Sequence, residues 1–251
     1  MRILAFDTAT RATTVALMDS GTGEVTEARD DPEPGGRPRH TVRLMPLIVD
    51  VLERSGCGWA DVERIAVGVG PGTFTGLRIG VATARALARA RGIPLVGVST
   101  LESLALGAAD QAGGSDGPGG PDGDAILAVL DARRREVFAA AWTAESPPGM
   151  DSGVGRVLLE PVAIDPQRLA EVASGLGRGR LAIGDGAVEF RAVLERSGTV
   201  IPHDSSPLHL VHAKYHCRLA SGSPPVGISD VRPEYLRLPD AELSLRAAQK
   251  P

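Results

Sequence analysis

Two short segments of the 251-residue chain carry residue types whose spacing could do chemistry on an anion. Asp7-Thr8-Ala9-Thr10 puts a carboxylate and two hydroxyls within four residues, a set able to orient a hydrated metal ion or a phosphate. The same Asp could equally serve only to bond the amides of its own turn. Gly70-Pro71-Gly72-Thr73-Phe74-Thr75-Gly76 follows an apolar run and precedes a helical pattern, so its amides would lie at a helix N-terminus, where the dipole favours negative charge. It lacks the Gly-Lys-Ser/Thr of a Walker loop, and its glycines also suit a tight turn that lets two backbones approach. The candidate nucleotide- or phosphate-binding residues are therefore Asp7, Thr8, Thr10, Gly70, Gly72, Thr73 and Gly76.

His209, His212 and His216 recur at i, i+3 and i+7 of an expected helix, which would align them on one face, with a spacing known from metal sites. No carboxylate or thiol ligand stands near them in sequence, so a polar helix face is the stronger reading and no metal site is assigned. Cys57 and Cys217 lie far apart and form neither a CxxC motif nor a disulfide framework. No G-x-S-x-G elbow, H-E-x-x-H pair or deaminase signature occurs, and Ser99, Ser103 and the scattered carboxylates form no triad recognisable from spacing. No catalytic residue is assigned.

The elements that must position these segments follow from periodicity and punctuation. Arg2 to Asp7, Thr13 to Asp19 and Glu24 to Arg29 read as strands, the first two joined as a hairpin. Asp30 to Arg39, rich in Pro and Gly, reads as a loop. Val42, Met45, Ile48, Val49 and Leu52 recur at helical spacing over Thr41 to Arg54. A strand over Arg64 to Gly70, the glycine turn, a helix to Arg91 and a strand through Val98 make a βαβ unit, hence a parallel sheet. Along that second helix Gly76, Gly80, Ala84 and Ala88 form a nearly bare ridge on which another helix of this chain or of a partner could pack.

A helix over Thr100 to Leu106 closes a first domain, residues 1–107, and the Gly/Asp/Pro-rich residues 108–124 read as a flexible segment. Residues 125–251 then repeat the order: strands at Ala125 to Asp131 and Glu136 to Trp142, a helix at Pro166 to Ala173, a strand at Leu181 to Ile183, and helices at Val188 to Ser197 and Leu208 to Ala220. The tail is expected to pack back on the first domain. A βββαβα order occurring twice is the organisation of the actin, hexokinase and Hsp70 (ASKHA) superfamily of two-domain α/β proteins, with ligands in the cleft between domains.

With 43% hydrophobic and 23% charged residues the chain is that of a globular protein, and its net charge of −4 offers no global attraction to a polyanion. Met1 to Asp7 carries no basic leader, and no run of about 18 apolar residues occurs, so a cytoplasmic protein with no membrane contact is expected.

Ile3 to Thr10, Val67 to Gly80, Pro94 to Glu102, Asp131-Ala132-Arg133-Arg134 with Glu136-Val137-Phe138, and Pro233-Glu234-Tyr235-Leu236-Arg237 together resemble the TsaB family, also called YeaZ. The resemblance implies a non-catalytic subunit that binds and activates the catalytic protein TsaD, with the ATPase TsaE, to transfer threonylcarbamoyl onto N6 of adenosine 37 in ANN-decoding tRNAs. ATP and metal would belong to the partner subunits, this chain requiring none, and tRNA would be met through the complex. Where the catalytic relative carries a His-x-x-x-His metal pair, this chain has Thr100 and Leu104, and leucine is no ligand. Asp131-Ala132-Arg133 stands where kinase-like relatives have an Asp-x-Gly phosphate turn, and Ala182 to Gly186 only partly resembles their nucleoside loop. Relatives pair as homodimers alone, or with TsaD, through the first two helices, which carries a partner interface onto Val42, Met45, Leu52, Gly76, Gly80, Ala84 and Ala88. On that reading Gly80→Leu or Ala84→Arg would block pairing and leave a folded monomer. The competing readings are a self-sufficient kinase or ATPase using Asp7 and the glycine loop, and, more remotely, a peptidase.

Overall fold

A computed structural model describes residues 1–33, 35–112, 125–144, 154–177 and 179–237. Strands β1 (Arg2–Asp7), β2 (Thr13–Asp19) and β3 (Val25–Asp30) run antiparallel, and β4 (Arg64–Gly70) and β5 (Leu95–Ser99) extend the sheet in parallel, in the order β3-β2-β1-β4-β5. The second half repeats this with β6 (Ala125–Arg133), β7 (Glu136–Thr143), β8 (Val157–Ile164) and β9 (Arg180–Ile183), ordered β8-β7-β6-β9, with β6 and β9 parallel. The sequence pattern missed β8. It is an edge strand of half-buried residues, interrupted by Pro161, which an edge tolerates and a centre does not.

Period-two alternation sorts the core. Leu4 and Phe6 of β1 pack with Leu44, Ile48 and Val51 of α1 (His40–Arg54) and with Val81, Ala84 and Ala88 of α2 (Phe74–Arg91). Ile3 and Ala5 face the other way, into a cluster shared with α3 (Thr100–Ala112), α7 (Ala213–Gly222) and the inner face of the second sheet, including Ile126, Ala128 and Leu130. The outer face of that sheet is covered by α4 (Pro166–Ser174), α5 (Asp185–Glu189) and α6 (Arg191–Leu194). Both β1 faces are buried, which is why its sequence is continuously apolar. The layers thus alternate helix, sheet, helix, sheet, helix.

Three helices differ from the sequence reading. The expected helix Val188 to Ser197 is α5, which begins at Asp185, then α6 after a break at Phe190, and a closing 3-10 turn Glu195–Ser197. α3 continues through Gly107, the expected boundary, because Gly107 lets the Tyr215 ring of α7 press against the helix, where a Cβ would lie 2.8 Å from it. Residues 113–124 of the expected flexible segment lie outside the described residues. The expected helix Leu208 to Ala220 is two pieces, a short 3-10 turn Pro207–His209 and α7, separated by extended Leu210 and His212.

Candidate functional site

The hairpin turn after β1 and the glycine loop after β4 meet. Thr8 Oγ1 donates to the Gly76 carbonyl at 2.7 Å, and the Thr73 amide donates to the Ala9 carbonyl at 2.7 Å. A Cβ on Gly76 would overlap the Thr8 carbonyl oxygen, and one on Gly72 the Ala9 carbonyl. Thr8, Gly72, Thr73 and Gly76 are therefore brought together with Ala9, chiefly onto one another, whereas Gly70 faces Leu77 and the Glu234 carbonyl and Asp7 turns away from the loop. Backbone approach accounts for the glycines without a ligand. Thr10 stands apart, lining a cavity of about 190 Å³ between the halves with Arg11, Leu130, Asp185 and His209.

The second half closes in the same way. The Asp131 amide donates to Asp185 Oδ1 at 3.0 Å, and a Cβ on Gly186 would meet the Leu130 and Asp131 backbone. Gly184, at φ 108°, packs so tightly on the Val129 carbonyl that only glycine serves.

Asp7 points inward. Its Oδ1 accepts the Ala9 amide, while Oδ2 accepts the Thr100 hydroxyl and the His216 ring, each at 2.8 Å. The other ring nitrogen of His216 lies 2.8 Å from Ser103 Oγ. Burial alone would push the Asp7 carboxyl up, yet the His216 ring, the Ala9 amide and the Thr100 hydroxyl together hold it below the usual carboxylate range. This Asp-His-Ser order is that of a hydrolytic triad, but Asp7 is 1% exposed and His216 and Ser103 are 0% exposed. A nucleophile without surface meets no substrate, so the cluster ties β1, α3 and α7 together. Sequence spacing could not have found it, since its members come from three distant segments.

The three histidines share no face. His209 accepts the Gly184 amide, His212 pairs with Glu27 at 3.0 Å, and His216 turns into the core. Among the described residues no group of three or more His, Cys, Asp or Glu is placed to hold a metal. Thr100 and Leu104 are both interior, the first bonded to Asp7 and the second in the shared core.

The expected partner surface requires correction. Gly76, Gly80, Ala84, Ala88 and Leu52 are buried within this chain: Gly80 abuts Thr8 and Val67, and the two alanines pack under the first sheet. The bare ridge serves helix-on-sheet packing. Val42, at 63%, and Met45, at 40%, are exposed, and Val49, at 43%, continues their stripe with exposed Pro46 between. α1 thus carries apolar residues on two faces, of which the protein buries one.

The duplicated five-layer architecture places the chain in the two-domain actin- and hexokinase-like class. Residues 32–146 match a family model described as TsaD: tRNA N6-adenosine threonylcarbamoyltransferase. The tRNA threonylcarbamoyladenosine biosynthesis protein TsaB of Escherichia coli strain K12 is 32% identical over 239 residues, spanning 94% of this chain and 95% of that one. TsaB of Bacillus subtilis strain 168 is 28% identical, with both chains fully covered. A solved structure of YeaZ from Pseudomonas aeruginosa superposes with a TM-score of 0.72 at 26% identity, over 93% of this chain and 100% of that chain. This chain belongs to the TsaB family. Among its described residues no helix is long and apolar enough to cross a membrane.

Proposed function

We propose that this protein is the non-catalytic partner of TsaD in making N6-threonylcarbamoyladenosine in tRNA, and that it holds TsaD through the outer face of α1. The observation that carries the reading is the exposed stripe Val42, Met45, Pro46 and Val49 opposite a fully buried face of the same helix. A helix apolar on both sides is completed by a neighbour, and burying each such side chain contributes about 1.5–3 kcal/mol. The match of residues 32–146 to the TsaD model supports a partner of like fold, offering its own first helix to this one. Alone, two copies meet on the same stripe, and TsaD displaces one of them. TsaE joins the pair, and ATP and metal belong to those subunits.

The interior geometry of Asp7, whose carboxylate is spent on Ala9, Thr100 and His216, supports a supporting rather than a catalytic role. The test is Val42→Glu with Val49→Glu, mixed with TsaD on gel filtration and assayed for tRNA modification with TsaE and the threonylcarbamoyl adenylate. The expected result is an unchanged melting temperature with loss of the complex and of modification. A complex that forms as before overturns the α1 surface, and modification that proceeds equally without this protein overturns the function.

A further inference from the structure

The cavity of about 190 Å³ between the halves has charged walls that do not neutralise one another. Its charged lining is Arg11, Arg29 and Asp31 from the first half and Asp185 from the second. Arg29 and Asp31 cancel, with Arg29 Nε and Nη2 on the two Asp31 oxygens at 2.6 and 2.8 Å and Nη1 on the Val211 carbonyl. His209, which also lines the cavity, is spent on the Gly184 amide and the Pro202 carbonyl.

Arg11 and Asp185 are left over. Arg11 Nη2 donates to the Gly36 carbonyl at 2.7 Å, a neutral acceptor, and no carboxylate pairs with this guanidinium among the described residues. Asp185 Oδ1 accepts the Asp131 amide at 3.0 Å, a neutral donor, and the cation whose charge reaches Asp185, Arg133, is paired with Asp131 instead. A cation and an anion, both accessible to solvent, thus line one small chamber without pairing with each other. Each is restrained on its own side: Arg11 follows the turn that the Ala9 to Thr73 bond pins, and Asp185 is held by the Asp131 amide. The wall contributed by Leu130, Leu210 and Val211 is apolar.

We infer that this cavity binds a small α-amino acid with a neutral side chain, whose carboxylate meets Arg11 and whose ammonium meets Asp185. A guanidinium fork takes a carboxylate in two parallel bonds, and a carboxylate accepts the donors of an ammonium. A zwitterion supplies a partner to both walls at once, where a simple anion or cation leaves one wall unanswered. The aliphatic side chain goes to the leucine and valine wall. Roughly 150 Å³ holds a molecule of benzene's size, so a cavity of this volume suits an amino acid of few atoms.

Isothermal titration of the full-length protein tests this with L-threonine as the probe, beside N-acetyl-L-threonine, which has no ammonium, and L-threoninamide, which has no carboxylate. The expected result is a dissociation constant of about 1 mM or tighter for L-threonine, weakened roughly tenfold or more in either analogue. Asp185→Asn keeps an oxygen for the Asp131 amide and Arg11→Gln keeps a donor for Gly36, so both variants retain the native melting temperature and lose roughly tenfold or more in L-threonine affinity. Should either variant unfold, the two analogues on the unaltered protein decide the matter alone. No heat from L-threonine, L-serine or L-valine up to about 10 mM overturns the inference. Equal binding of the analogues overturns it too, as does inorganic phosphate or ATP binding more tightly than any amino acid with the same dependence on Arg11, which would make the cavity an anion site.

Discussion

His216 Nε2 lies 2.8 Å from Asp7 Oδ2 across 209 residues of sequence, with both side chains shut away from solvent. Because the Asp7 carboxyl is held below its ordinary 3.8, it stabilises the folded state above that pH, and the contribution fades as pH falls from about 4 through the lower native value. Urea midpoints should fall along an acid limb below about pH 4. Asp7→Asn should flatten the Asp7 part of that limb and cost about 3–5 kcal/mol, as expected for half of a buried pair. An acid limb identical in both proteins would show that the carboxyl is not coupled to folding.

Gly80→Leu should not yield a folded, unpaired monomer, since the new side chain would press on Thr8 Oγ1 and the Val67 methyl. Overpacking of this kind costs typically 1–3 kcal/mol, and Gly76→Ala, driven into the Thr8 carbonyl, should cost at least as much. Ala84→Arg adds a charge to a fully buried site and should unfold the chain. Circular dichroism during urea titration measures all three, and a native midpoint for Gly80→Leu would restore the ridge as a surface.

The two cysteines should react unequally. Cys217 is wholly buried against the carbonyls of Ile3 and Ala16, and burial pushes its thiol well above the ordinary range, whereas Cys57 is partly exposed. Iodoacetamide under native conditions should modify Cys57 and leave Cys217 intact until denaturant is added. Mass spectrometry that finds Cys217 labelled first contradicts the packing of α7.

Tyr235 fastens the tail over the start of α2, its ring 5.2 Å from Phe74 and its hydroxyl 3.1 Å from Arg78 Nε, while the Glu234 amide donates to the Val69 carbonyl. Tyr235→Ala removes a ring pair worth about 0.5–1.5 kcal/mol. Limited proteolysis should then cut near residues 232–237 several times faster, and an unchanged cutting rate would mean that the strap is held elsewhere.

Much of this fold was legible where one physical signal dominated. β1, β2, β4 and α2 stand where apolar runs and glycine punctuation put them. β8 was illegible because an edge strand buries too little to impose alternation, and the break between His209 and α7 because capping there depends on tertiary bonds, such as that of the Ala213 amide to Thr14 Oγ1. The glycine ridge on α2 was read as a seat for another helix, whereas its neighbours are the protein's own first sheet and the turn after β1, which helical spacing alone could not identify. For Asp7 the bond to its own turn was one of the two readings, and Oδ1 makes it with the Ala9 amide, but the bonds of Oδ2 were illegible because Thr100 and His216 arrive from α3 and α7.

The arrangement of α3 and α7 between the two sheets has a mechanical consequence. Enzymes with hinged lobes grip and release their ligands by jaw-like motion, which needs lobes that part without tearing hydrophobic contacts. Here Leu101, Leu104 and Ala105 of one half and Tyr215, Cys217 and Leu219 of the tail knit both sheets into one oily seam. Such a body should melt in a single calorimetric step, and two separated transitions would show that the halves come apart.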